Sequence, residues 1–225
     1  MPYQNDAMKT LTGIVRLTYV NVVTPRAQQQ GGEAKYSVTL LIPKSDVATK
    51  ADIDASINAA AQDALAKIWN GARPPQLRIP IYDGDGVRPS GEPFGAECKG
   101  HWVLNASSKT KPQCVGIDNI NVELSPSDIY SGMYARVTIR FFGYSNSGNK
   151  GIGCGLGNIL KTGNGEPLAG RTSADVDFAG LGNAVVQPPA PNVPAYTPPA
   201  PAQYAQPVQT TASPAYINPI TGLPV

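Results

Sequence analysis

The chain has 225 residues, 41% of them hydrophobic, and a net charge of +2, which suits one domain with a sizeable core and is too near neutral for bulk charge to mark a nucleic-acid binder. Its three cysteines, Cys98, Cys114 and Cys154, are too few and odd in number for a disulfide framework, and they suit a reducing compartment. The opening "MPYQNDAMKT" lacks the apolar segment of a signal peptide and no run approaches the ~18 apolar residues of a membrane span, so the expectation is a cytoplasmic protein without membrane contact.

Two β-branched, alternating runs come first, "TGIVRLTYVNVV" (12–23) and "KYSVTLLIP" (35–43), joined by the polar loop "TPRAQQQGGEA". Residues 45–69 read as one long helix. Ser45 or Thr49 is the expected cap, and Ile53, Ile57, Ala61, Leu65 and Ile68 form a core-facing stripe at helical spacing. Proline and glycine punctuate 71–95, where "YDGDG" (82–86) has the composition of a turn. Two further strands follow, "HWVLNAS" (101–107) and "GMYARVTIRFFGY" (132–144).

From about residue 183 the composition changes. Eleven of the 22 prolines lie in 183–225, and nothing after Asp177 is charged. Such a segment supports neither a ladder nor a helix, so the expected division is a domain over 1–182 and a disordered, polyproline-biased tail over 183–225. The tail reads as a spacer, or as a docking segment built on Tyr196, Tyr204 and Tyr216.

The stretch "GIGCGLGNILKTGNGE" (151–166) invites a nucleotide-binding reading, which fails on spacing. Leu160 stands where a P-loop needs glycine before its lysine, and Leu156 and Asn158 stand where the two possible dinucleotide fingerprints need their third glycine. Read with period two, Ile152, Cys154 and Leu156 share one face, and Gly151, Gly153, Gly155 and Gly157 the other. That is a strand with a core side and a bare side, pairing with 132–144 as a hairpin. Glycine in a strand marks a close approach of a ligand or backbone, or a bent barrel corner.

Catalytic readings are thin. His101 is the only histidine, and no G-x-S-x-G elbow is present. Cys98, His101, Cys114 and Cys154 have the donor types of a zinc site, but a strand over 98–104 would point Cys98 and His101 to opposite faces. Buried, unligated thiols are the plainer reading. Asp83 and Asp85 fail the EF-hand pattern, since Val87 and Arg88 stand at its next positions. A nuclease built on them would require Mg²⁺. No catalytic residue, cofactor or metal is expected.

The strand at 133–144 says more. One face is Met133, Ala135, Val137, Ile139 and Phe141, which is a core face. The other interleaves Tyr134, Arg136, Arg140, Phe142 and Tyr144 around Thr138. Aromatics stack on unpaired bases and arginines meet phosphates, which is what a single-strand-binding sheet needs. The alternative is an amphipathic strand whose aromatics lie under a neighbouring loop. Lys109 and Lys111 in "SSKTKPQ", Lys150 in "NSGNKG", and Lys35 with Arg26 beside the first loop add cations where an OB-fold carries its nucleic-acid-binding loops.

In order and spacing, these segments resemble the single-stranded-DNA-binding proteins of tailed phages, a family of OB-fold proteins from the replication and recombination apparatus. The resemblance covers roughly residues 10–180. It rests on "TPR" after the opening strand, "SVTLLIPKSD" running into the helix, "PIYDGDG", "NASSKTKP", "YSGMYARVTIRFFGYSNSGNKGIGCGLGNI" and "GEPLAG". It implies an OB-fold-like β-barrel, mainly β with one long helix, that binds single-stranded DNA sequence-tolerantly and without catalysis. Lys109, Lys111 and the strand from Tyr134 to Tyr144 are the positions it carries over. It also implies replication or recombination proteins as partners through the tail. Two departures stand out: the tail's end, "NPITGLPV", has no acidic residue, and the helix comes before the third strand rather than after it. The competing reading is a β-rich virion component with a Pro-rich interaction tail.

Overall fold

The computed structural model describes residues 2–3, 5–27, 32–146 and 149–168. The expected tail at 183–225 lies outside them. In chain order the described elements are β1 (Pro2–Tyr3), β2 (Asp6–Leu11), β3 (Val15–Arg26), β4 (Lys35–Pro43), α1 (Val47–Lys67), β5 (Ile81–Asp83), β6 (His101–Ser108), β7 (Cys114–Gly116), β8 (Asn119–Glu123), β9 (Tyr134–Asn146) and β10 (Asn149–Gly163).

Five strands close a ring. β9 pairs with β3, β3 with β4, β4 with β6, β6 with β10, and β10 returns to β9. Every pairing in the ring is antiparallel except β6 with β10, which is parallel and meets only at Gly155 and Ser107. This is the five-stranded, partly open Greek-key barrel of the OB-fold. The thin β6–β10 seam is covered by the segment leading into β5. Ile152 N donates to the Arg78 carbonyl at 2.8 Å, and β5 pairs with β6. The shorter β1, β2, β5, β7 and β8 were not legible as strands. β2 lies along β9, and β7 and β8 extend from the far half of β10.

Period-two alternation fills the interior. Met133, Ala135, Val137, Ile139 and Phe141 are buried together with Val38, Leu40 and Ile42 of β4, Leu104 and Ala106 of β6, and Ile152, Cys154 and Leu156 of β10. Each large apolar side chain buried this way contributes about 1.5–3 kcal/mol. β10 forms the expected hairpin with β9.

Helix α1 sits between the second and third ring strands, as the sequence order required. It is shorter than 45–69, and its cap is neither Ser45 nor Thr49. Asp46 holds the position, its carboxylate accepting from Thr49 N at 3.0 Å, because Ser45 is spent in the turn that Asp46 N closes onto the Pro43 carbonyl. Ile53, Ile57 and Ala61 are buried as expected, but Leu65 is only half-buried and Ile68, past the last turn, is exposed. Ala60 and Ala64 fill the face instead, because α1 comes very close to β9. A Cβ added at Gly143 would stand only 2.1 Å from that of Ala64.

Candidate nucleic-acid interface

A groove runs over the outer face of β4 and β6. Its floor is small and polar, made of Ser37 and Thr39 from β4 with Asn105 and Ser107 from β6. The Thr39 hydroxyl donates to Asn105 Oδ1 at 2.7 Å, which fixes that amide across the strands. Tyr82, Arg88 and Phe94 wall one side, around a cleft of about 500 Å³. The Tyr82 and Phe94 ring centroids lie 6.3 Å apart, and the Arg88 guanidinium sits 5.4 Å over the Phe94 ring. Beneath them Leu41, Val103 and Cys98 form a second small core on the outer surface.

Tyr19 stands at the groove's other side, 60% exposed, with φ at +49°. The β3–β4 register shifts between Thr18 and Asn21, so Tyr19 sits in a bulge that turns it out of the ladder. A bulky residue in the left-handed region costs energy and persists where its surroundings enforce it. Its ring borders both halves of the groove.

The residues expected from the sequence fall into two groups. Lys35 opens β4, and Lys109 follows β6 at the same end of the barrel, where Tyr36 pairs with Ser108. Lys109 is ion-paired to Glu33 at 2.6 Å, and Lys111 to Glu123 at 3.4 Å. Tyr134, Arg136, Arg140, Phe142 and Tyr144 share the outer face of β9, elsewhere on the ring. Their polar atoms are partly engaged by the N-terminal strand: Arg136 Nε donates to the Thr12 carbonyl at 3.1 Å, and Arg140 pairs with Asp6 at 2.9 Å. That Arg140 bond holds the Asp6 carboxyl below the ordinary carboxylate range. Lys150 lies where β10 begins, opposite Ser145.

The bare glycines do lie beside this face, in register with it. Gly155 pairs with Arg140, Gly153 with Phe142 and Gly151 with Tyr144. The space is already taken by β9 side chains. A Cβ at Gly153 would stand 2.7 Å from the Phe142 ring, and one at Gly151 would stand 2.8 Å from the Tyr144 hydroxyl. The absent side chains at Gly153 and Gly151 leave room for the Phe142 ring and the Tyr144 hydroxyl, and Phe142 is 44% exposed beside a shallow cleft bordered by Lys9 and Arg140.

The chemical alternatives take structural roles. Lys44 Nζ holds Asp83 at 2.5 Å and Asp85 at 2.7 Å, and Asp85 also accepts from Gly100 N at 2.9 Å. The hydrogen bonds from Lys44 depress both carboxyls. Asp83 and Asp85 thus clamp a turn onto the end of β4. The thiols do not converge, since Cys98 lies in the outer cluster while Cys114 and Cys154 lie in the main core. Burial pushes all three up, Cys114 to about 11. No cluster of three or more His, Cys, Asp or Glu able to hold a metal occurs among the described residues, and no described helix is long and apolar enough to cross a membrane.

Tyr19, Tyr82, Arg88 and Phe94 were not expected from the sequence. Tyr19 had a legible signal. The apolar phase runs through Val15 and Leu17, then through Val20 and Val22, and the slip between them marks a bulge. Arg88 and Phe94 had none, since a loop carries no periodicity, and Tyr82 lies in β5, whose three residues are too few to show one.

Comparison with known proteins gives one consistent result. The family model described as Enterobacter phage Enc34, ssDNA-binding protein, matches residues 8–186. The single-stranded DNA-binding protein of bacteriophage Enc34, solved in complex with ssDNA, is 29% identical with a TM-score of 0.62, over 72% of this chain and 90% of that one. A protein named p50 from Acyrthosiphon pisum secondary endosymbiont phage 1 is 27% identical over 175 residues, which cover 76% of this chain and 91% of that protein. In fold the chain is also similar to gp2.5, a single-stranded DNA-binding protein encoded by bacteriophage T7, at 13% identity and a TM-score of 0.50, over 76% of this chain and 93% of that one.

Proposed function

The chain belongs to the Enc34 phage ssDNA-binding protein family, and from that premise we propose that it coats single-stranded DNA sequence-tolerantly in phage replication or recombination, with the bases laid in the β4–β6 groove. Family membership favours this reading over a virion component. The site of action is the cytoplasm of the host cell, and the tail serves as the contact to replication or recombination proteins.

One observation carries the choice of face: the strained bulge that presents Tyr19 across from Tyr82 over a floor of small polar side chains. The second and third strands of an OB barrel, with the loops at their ends, are where such folds take oligonucleotides. Exposed aromatic rings offer stacking surfaces to any base, at about 1–3 kcal/mol each. Ser37, Thr39, Asn105 and Ser107 supply donors and acceptors without the bulk that would bar a strand. Arg88, with Lys35 and Lys109 at one end, meets phosphates.

The test is an oligo-dT titration by fluorescence anisotropy at two salt concentrations. Tyr19→Ala and Tyr82→Ala should each weaken binding by about 1–3 kcal/mol with little change in salt slope, because stacking releases no counterions. Unchanged affinity in both variants would move the bases off this groove.

A second reading is supported by the exposed Phe142 ring beside Lys9 and Arg140. Here the strand contacts the β9 face through Tyr134, Arg136, Arg140, Phe142 and Tyr144, and replacing Arg136 and Arg140 together by Ala lowers affinity and flattens the salt slope, near −0.7 per phosphate neutralised. If the groove alone binds, the same pair leaves the slope as it was.

A further inference from the structure

A linker joins α1, which lies between the second and third ring strands, to β5. It builds a second concave surface that the groove does not include. Arg73, Pro74, Pro75, Gln76 and Arg78 from this linker face Lys150 at the start of β10, around a cleft of about 620 Å³. The neighbouring prolines stiffen one wall. Arg78 is anchored at its backbone, since its carbonyl accepts from Ile152 N at 2.8 Å.

The cleft gathers three cations. Lys44, Lys50, Lys67, Lys109, Lys111 and Arg140 each hold a carboxylate. Arg73, Arg78 and Lys150 hold none among the described residues, and no acidic side chain lines the cleft. Three like charges gathered without a counter-ion repel one another, and a bound polyanion relieves that cost.

The cleft is close to the groove along the chain. Arg78 is exposed at one end of this segment and Tyr82 lines the groove at the other, with a bend at Pro80 between them and Ile81 buried in the core. Four residues of chain separate Tyr82 from Arg78, so their Cα atoms lie no more than about 14 Å apart.

We infer that the Arg73–Arg78–Lys150 cleft binds the phosphodiester backbone of the single strand where it leaves the groove past Tyr82. This rests on the groove reading given above. The cleft contributes charge and no base stacking, so it lengthens the bound segment and steepens the salt dependence.

The test uses the full chain and its Arg73→Ala/Arg78→Ala/Lys150→Ala variant, with oligo-dT of about 4 and about 16 nucleotides, the two ends of the range one OB-fold occupies. The variant should bind the short strand like wild type. It should bind the long strand on the order of tenfold more weakly near physiological salt, with the salt slope shallower by about 0.7 for each cation removed. Equal binding of the long strand by both proteins would overturn the assignment, and so would an equal loss on both lengths. Should the wild-type chain bind neither strand, the groove reading falls and the cleft with it. If wild type binds both, only the cleft is at stake. Unchanged far-ultraviolet circular dichroism checks that the variant is folded.

Discussion

At the scale of single residues, several side chains that looked chemical hold the fold together. Lys44 is the clearest case. It bridges Asp83 and Asp85 and lies 5.1 Å over the Trp102 ring, with Lys50 4.7 Å from the same ring. The pair of aspartates that suggested a metal therefore has its charge met by an ammonium. The depressed carboxyls have a consequence for pH. A group whose folded pKa lies below its unfolded value stabilises the fold above the unfolded value, about 3.9 for Asp, and loses that contribution as pH falls through the lower folded one. The melting temperature should therefore fall as pH drops below about 4, and Lys44→Met should flatten that acid limb. A thermal-shift series across pH reads this directly, and an unchanged limb in the variant would place the acid sensitivity elsewhere. The bare glycines are also settled at this scale: Gly151, Gly153 and Gly157 each seat a hydroxyl or ring of β9, and Gly155 faces the Arg140 carbonyl.

At the scale of elements, α1 was legible as a helix but its ends were not. Propensity and the apolar stripe extend in both directions past the true limits, and only hydrogen bonding fixes them. Asp46 caps the first turn because the preceding residues are already turned back on β4. Asp46→Ala should cost about 1 kcal/mol in a denaturant titration without changing the slope. If stability were unchanged, Ser45 or water would be supplying the cap. The helix's core face differed from the periodic stripe for a related reason. Ala60 and Ala64 bring the backbone of α1 down onto Gly143, a contact between two elements that neither sequence reveals alone. β2 is the other element the sequence hid. It is short and polar, and it gains order by pairing with β9 and through buried Thr10, whose hydroxyl lies 2.7 Å from that of Ser56 on α1. In doing so it engages Arg140, and Thr12, the residue after it, engages Arg136, the two residues that made β9 look most like a binding face.

At the scale of the whole molecule, the boundary expected near residue 182 yields a direct experiment. If 1–182 is a self-sufficient domain, a chain truncated there should keep the unfolding midpoint of the full protein and its oligo-dT affinity within about twofold, since domain boundaries fall in Pro-rich linkers that few contacts cross. A large loss of affinity would make the tail part of the binding surface, and a large loss of midpoint would make it part of the fold.

The alternating strands, the long helix, the buried face of β9 and the two-sided character of the glycine strand were all legible in the sequence. All of these follow from local periodicity, which records which way each side chain must point relative to a core. The sequence also carried enough order and spacing to point to the family. Which outer face stays open depends on how the barrel packs. Periodicity says that a residue points outward; it does not say what packs across it. On β9 the outward arginines meet the N-terminal strand, and the outward aromatics settle onto the glycines of β10. On β4 and β6 the outward Ser37, Thr39, Asn105 and Ser107 are small and floor an open groove, and a bulge at Tyr19 with Tyr82 on β5 and the loop carrying Arg88 and Phe94 builds walls around them. Those walls come from positions far apart in sequence, and closure of the barrel is what brings them together.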